Sequence, residues 1–276
     1  MTVALIGVGA DTTNASPTPR IDEAGSFEYV PIPEAEGPDG TTESLTYGTA
    51  PLRQREGTLA DILDTITPGW DGSETLNGEA LADWPLHHDP NLDALTYGET
   101  NSRGAYTKRL RALEPGDLVA FYTGLQRSPD APRHRYIIGY FTVNAVLDCQ
   151  RVEHDGETRR FSELPDDVQT ELLEVHAENA HVKRHRATGK FAAPDDGLVI
   201  VDGQEPGGLL ERAFRISEQH ASGHHYLTDV LEERFAPEPG GNPDRNAYLG
   251  GIKNAHRLDV DPELFRSIVE RRVEID

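Results

Sequence analysis

Apolar positions along the chain gather in short runs, and the most regular pair lies near its centre. Leu118-Val119-Ala120-Phe121-Tyr122 and Tyr136-Ile137-Ile138-Gly139-Tyr140-Phe141-Thr142-Val143 are nearly unbroken apolar stretches. The turn formers Pro115-Gly116-Asp117 open the first, and an Arg- and Pro-rich segment separates it from the second. Short runs rich in aromatic and β-branched residues, bounded by turn residues, predict strands over 117–123 and 135–143, paired antiparallel in a closed or nearly closed barrel. Further strands are expected at Thr2–Val8, Ser26–Ile32, Val146–Val152 and Leu198–Val201. Helical spacing predicts helices at Thr58–Ile66, Thr107–Leu113, Pro165–Ala180, Leu209–Ile216 and Tyr226–Phe235. The last helix carries the fullest signal: Asp261 as cap, Pro262 at its first position, and Leu264, Phe265, Ile268 and Val269 as a buried stripe.

Strands and helices in this mixture give an α+β fold, a small β-barrel elaborated with helices and long loops. The 276 residues suffice for one elaborated domain over 1–217, with a helical C-terminal extension over 218–276 packed on it. The single cysteine, Cys149, cannot form an intramolecular disulfide. No apolar run reaches membrane-spanning length, and the N-terminus lacks the features of a secretion signal, so a cytoplasmic protein is expected.

Charge changes this picture. The net charge is −22, which repels nucleic-acid phosphate unless salt screens it. Only four basic residues are lysine (Lys108, Lys183, Lys190 and Lys253), and acidic residues run along nearly the whole chain. Such a surface suits multimolar salt, where the Debye length falls to about 3 Å or less, and implies a halophilic archaeal source. Two segments depart from the acidic background: 103–135, and 181–190, which holds four basic residues and no acid. They read either as solvated loops and helix ends or as the flanks of one anion-binding groove.

Several motifs bear on chemistry. Gly7-Val8-Gly9 follows a strand but lacks the third glycine and the helix of a dinucleotide site. Asp11, at the end of that strand, could cap a turn or meet a ligand. His181 and His185, like His220 and His224, stand four apart, a spacing that can share a helix face, yet neither pair has the glutamate of a zincin motif. No metal and no cofactor are therefore expected. His87-His88-Asp89 could orient an imidazole by a carboxylate for general-base work, with His88 and Asp89 as the candidates, or the segment could simply be a turn closed by Asp89-Pro90. Cys149 lies in an apolar strand pattern that suits an inert thiol, and neither a Gly-x-Ser-x-Gly elbow nor a P-loop occurs. Finally, Leu45-Thr46-Tyr47-Gly48 recurs as Leu95-Thr96-Tyr97-Gly98, two similar turns that could face one site.

The central hairpin, with its Gly-Asp-apolar-Phe-Tyr-x-Gly strand, resembles that of PUA-like domains, in particular the EVE-like members. The resemblance implies a nucleobase, often modified, held at the barrel mouth. Over most of residues 3–217 the chain also resembles the nucleotide modification associated domain 3 family of prokaryotes and phages. The matching segments are Gly7–Asp11 with Gly25–Pro33, His88-Asp89-Pro90 with Thr96–Glu99, the Gly116–Val143 hairpin, Asn179-Ala180-His181 and Leu198–Arg215. That resemblance implies an association with nucleotide modification, next to base-modifying enzymes as partners.

Together these features lead to an expected protein that recognises a nucleobase in DNA or RNA, flipped or single-stranded. Tyr122 and Tyr97 are the expected stacking residues, and Asp11, Ser26, Thr96, Asn179 and His181 the polar groups around the base. Lys108, Arg109, Lys183 and Arg186 are the expected phosphate contacts. Two alternatives stay open: an enzyme of base modification or excision using Asp11, His88 and Asp89, and a protein–protein adaptor with no ligand.

Overall fold

The structure, a computed structural model, describes residues 1–11, 14–68, 74–189, 197–221, 223–238, 248–250 and 254–271. Lys190 and Lys253 lie outside the described residues. Six strands form the central sheet: β1 (Val3–Gly7), β2 (Thr96–Glu99), β3 (Leu118–Gln126), β4 (Arg133–Asp148), β5 (Val199–Arg215) and β6 (Ala255–Leu258). Their order is β6-β1-β3-β4-β5-β2, with β1 and β3 parallel and every other neighbour antiparallel. The sheet curls into half a barrel.

The apolar runs explain its centre. All nine residues of β3 are buried, because the strand is covered on both faces. Val119, Phe121 and Leu125 join one core with Ala4 and Ile6 of β1, whereas Leu118, Ala120 and Tyr122 join a second with Val3 and Leu5. That division follows the period of two along a strand. Tyr106 and Leu110 of helix α2 (Gly104–Leu110) fill the first core, along with Phe27 and Tyr29. Helices α5 (Asp229–Phe235) and α6 (Pro262–Arg271) cover the second through Leu231, Phe235, Phe265, Ile268 and Val269. A satellite core over 45–86, built around Tyr47, Leu59 and Ile66, stands beside the sheet and includes the short helix α1 (Gly78–Asp83).

The predicted hairpin forms as antiparallel β3 and β4, with a register shift at Phe121/Tyr122. Other expectations need correction. Leu209–Ile216 is no helix: all but its last residue lie in the 17-residue strand β5, which pairs with β4 through irregular register. Its Leu-Leu-Glu-Arg-Ala sequence favours a helix locally, but pairing of Leu209 with Gly139 and of Phe214 with Ile137 holds both ends in the ladder across a register shift, and the Ala213 N–H donates to the Gly25 carbonyl. Ser26–Ile32 does not form one strand; Phe27 makes an isolated bridge to Ile21, and only Ile32–Pro33 pairs, with Leu86–His87. Prolines at 31 and 33 cannot donate to a ladder.

Pro165–Ala180 breaks into α3 (Asp166–Val175) and α4 (Ala180–Thr188), because Asn179 caps a new helix by accepting the His181 N–H at 3.0 Å. Tyr226–Phe235 starts as a strand, and only α5 is helical. The described residues of 218–276 are mixed, not purely helical, and supply β6 to the central sheet. In α6 the Asp261 cap is present, its Oδ1 accepting from the Glu263 and Leu264 N–H groups, but Leu264 is half exposed and outside the buried stripe.

Candidate active site

Where β1 ends and β2 runs along the sheet edge, a cavity of about 260 Å³ opens between the two. Gly7, Val8 and Gly9 supply one wall, Tyr97, Gly98 and Glu99 another, and His181 and Arg184 of α4 a third. The chain leaving the short strand at Leu86–His87 adds His87 and Asp89, a tight turn at His88 being closed by the Asp89 N–H donating to the His87 carbonyl at 2.8 Å. His88 is not among the lining residues.

Each group is held by a distinct partner. Asp89 Oδ1 accepts the Gly98 N–H at 3.0 Å, which leaves Oδ2 facing His181 Nε2 at 3.4 Å and His87 Nε2 at 4.0 Å. The two imidazoles meet edge to face with centroids 4.9 Å apart. Behind them, Glu34 Oε2 lies 3.0 Å from His87 Nδ1, and Arg184 donates from Nε to Glu34 Oε1 at 2.7 Å. Burial alone would raise the Glu34 pKa, but hydrogen bonds from His87 and Arg184, with the Arg184 charge, hold it down to about 2. An ionised Glu34 favours a proton on His87 Nδ1, and the Nε2 lone pair then faces the cavity. Burial, with the Arg184 charge, lowers the His87 pKa, so this imidazole stays neutral near pH 7.

The wall that Gly98 joins to this cluster carries a second cavity carboxyl. Glu99 is buried, and desolvation pushes its pKa up despite the Arg103 guanidinium 3.2 Å away. Tyr97 Oη donates to Glu99 at 3.1 Å, and Arg103 Cζ sits over the Tyr106 ring, 3.5 Å from its centroid. A pocket joining neutral imidazole, a buried aspartate, a raised carboxyl and a guanidinium is equipped for acid–base work.

The family model described as nucleotide modification associated domain 3 matches residues 2–242. The chain belongs to this family. No curated protein and no solved structure matches it. The span matched by the nucleotide modification associated domain contains every residue that lines the cavity, whereas β6 and α6 lie beyond it.

The structure sorts the residues expected from sequence into several places. Tyr97 and Asp89 line the cavity with His181, while Thr96 and Asn179 stand behind it, Asn179 Nδ2 donating to Thr96 Oγ1 at 3.2 Å. Tyr122 does not face it: its ring is fully buried in the second core, and its hydroxyl donates to the Asn254 carbonyl at 2.9 Å, which leaves no face for a stacked base. Asp11 is fully buried in an ion pair with Arg135 at 2.8 Å. Ser26 closes a local turn, its N–H donating to Asp22. His88 is half-buried outside the cavity.

Three of the four expected phosphate contacts are engaged within the fold, and the fourth, Lys108, is exposed. Lys183 pairs with Glu43 at 2.8 Å and Glu178 at 3.2 Å, and Arg109 pairs with Glu238 at 2.8 Å. Arg186 donates to the Leu173 carbonyl, and Lys108 is exposed. The two Leu-Thr-Tyr-Gly copies do not share a site, since Tyr47 is sealed in the satellite core with its hydroxyl on the Pro31 carbonyl. What they share is a glycine pressed by a neighbour: a Cβ on Gly48 would lie 2.8 Å from the Ala82 carbonyl oxygen, and one on Gly98 would lie 2.6 Å from His181 Cδ2.

Spacing within one helix also points to the wrong histidines. His185 turns to the Phe161 ring, and His220 stacks on Tyr226, while His181 combines with His87 and Asp89 from a distant segment. Glu34, Glu99, Arg103 and Arg184 are the site residues that motif reading misses. The one sequence signal for Arg184 is its position three after His181, on the same helix face.

Proposed function

We propose that this domain is an enzyme of nucleotide modification that binds a nucleobase or nucleoside in the cavity and performs acid–base chemistry on it. The observation that carries the reading is the convergence of His87, Asp89 and His181 with the raised carboxyl of Glu99, inside the region that the family model matches. The cavity of about 260 Å³ lies just below the usual range for small-molecule sites, roughly 300–1,000 Å³. It suits a single base, flipped or single-stranded, and not a length of duplex. Tyr97 is the aromatic wall for the base, and Arg103, 37% exposed, is the cation placed for an adjoining phosphate. The β3–β4 hairpin supports the PUA-like relationship, and the acid-rich, lysine-poor composition supports a halophilic source. Asp11, His88 and Tyr122 drop out of the proposed chemistry because the cavity does not include them.

The test uses nucleosides and short single-stranded oligonucleotides, modified and unmodified, titrated at a salt concentration where the protein is folded. Saturable binding is expected. Tyr97→Ala should weaken it by about 1–3 kcal/mol, the worth of one stacked base. Arg103→Ala should weaken binding and move the slope of log affinity against log salt upward by about one unit, as for one lost phosphate contact. Mass spectrometry of the bound base then separates catalysis from recognition: a mass change that Glu99→Gln abolishes while binding persists supports the enzyme. Binding with an unchanged base under every condition would leave a reader, and absence of saturable binding would remove both.

A further inference from the structure

We infer that His87, Asp89 and His181 form a binding site for one divalent first-row transition metal ion, with its remaining coordination positions open to the cavity. The inference extends the catalytic reading of the same pocket, but its test needs no nucleotide, so either can fail alone.

The donor set comes first. One ligand atom from each residue lies within 4.8 Å of the other two, and all three residues are buried. Around an ion with bonds of about 2.0–2.2 Å, neighbouring ligand atoms sit roughly 3–3.5 Å apart. The 3.4 Å between His181 Nε2 and Asp89 Oδ2 already fits, and the 4.0 Å between His87 Nε2 and Asp89 Oδ2 needs a small closure. Two imidazoles with one carboxylate suit zinc, iron(II), cobalt(II) or manganese(II), whereas magnesium and calcium prefer an all-oxygen shell.

The outer shell points the same way. Metal-binding histidines commonly donate their second N–H to a carboxylate, which fixes ring and tautomer. His87 Nδ1 has that partner in Glu34 at 3.0 Å, and Arg184 anchors Glu34 in turn. Asp89 has its Oδ1 fixed by the Gly98 N–H, so that Oδ2 is the oxygen presented to the histidines. His181 is positioned differently, by the Asn179 cap of α4 and by close packing on Gly98. Its Nδ1 is buried and makes no hydrogen bond to the described residues.

A purely structural cluster explains this arrangement less well. Asp89 Oδ2 lies 3.4 Å from one imidazole and 4.0 Å from the other, so neither contact is a short hydrogen bond. A cation between them would satisfy all three groups at once. It would also hold a water or a substrate oxygen against the rest of the cavity, where a Lewis acid lowers the pKa of bound water.

Chelator-treated full-length protein, titrated with Zn²⁺ by calorimetry and with Co²⁺ by visible absorption, tests the site. One equivalent is expected, with ligand-field bands of low-symmetry coordination for Co²⁺ and a raised Tm for either ion. His87→Ala and His181→Ala should each abolish stoichiometric binding. Glu34→Gln, which leaves all three ligands in place, should weaken it by about 10–100-fold. His185→Ala removes an imidazole from the same helix but outside the cluster, and it should bind as wild type does. Should a ligand variant fail to fold, the Co²⁺ spectrum of wild type and the Glu34→Gln affinity still decide. Absence of stoichiometric binding to folded wild type would overturn the site, as would wild-type affinity in Glu34→Gln together with either ligand variant.

Discussion

Single residues in this protein show how the same side-chain type can serve structure or chemistry according to what surrounds it. Asp11 and Asp89 are both buried aspartates near strand ends, yet Asp11 is closed off by Arg135 while Asp89 keeps one oxygen turned toward imidazoles in a cavity. A buried ion pair of the first kind is costly to break from one side, because the remaining charge stays in low dielectric. Arg135→Ala should therefore destabilise the fold by about 3–5 kcal/mol, a loss that chemical denaturation would measure. The same variant should leave metal affinity in the cavity unchanged once the protein is stabilised by salt. A small stability loss would show that Asp11 is solvated or protonated, and would return it to the list of groups free to meet a ligand.

Elements were legible in the sequence where local signals and tertiary pairing agreed. The β3–β4 hairpin had turn residues, continuous apolar runs and no competing helical period, and it forms. Strand β5 was legible only at its start, where the strand expected at Leu198–Val201 forms; Leu209–Ala213 favours a helix on its own, and only the pairing of the flanking Leu209 and Phe214 with β4 keeps it extended. The site was the least legible part, since Glu34, His87–Asp89, Tyr97–Arg103 and His181–Arg184 come from four segments that only the fold brings together. Helix α6 shows a finer version of the same limit. Its cap and period predict the helix correctly, but periodicity alone placed Leu264 in the stripe, and the second core admits only Phe265, Ile268 and Val269. Phe265→Ala should cost about 3–5 kcal/mol, as for other buried phenylalanines. Leu264→Ala should change stability by less than about 0.5 kcal/mol. Equal losses for the two would mean that α6 is oriented differently on the sheet.

At the scale of the whole molecule, charge and cavity pose opposing demands. A net charge of −22 repels a nucleotide's phosphates, and several basic residues that could offset it are engaged: Arg109, Arg111, Lys183 and Arg184 all pair with carboxylates within the fold. Screening resolves the conflict, because the Debye length shrinks from about 30 Å at 0.01 M to about 3 Å at 1 M. Long-range repulsion between dispersed carboxylates then fades, both within the protein and toward an anionic ligand, whereas buried pairs such as Arg184–Glu34 are screened far less. Two consequences should move together. The Tm should rise between dilute buffer and molar KCl, and binding of a nucleotide should strengthen or hold over the same range, against the usual loss of phosphate affinity with salt. Thermal melts and titrations in a KCl series check both at once. A Tm that is flat with salt would show that the surface charge is not limiting stability, and the acidity would then stand as a direct electrostatic objection to a nucleic-acid substrate, leaving a free nucleobase or nucleoside as the ligand the cavity accepts.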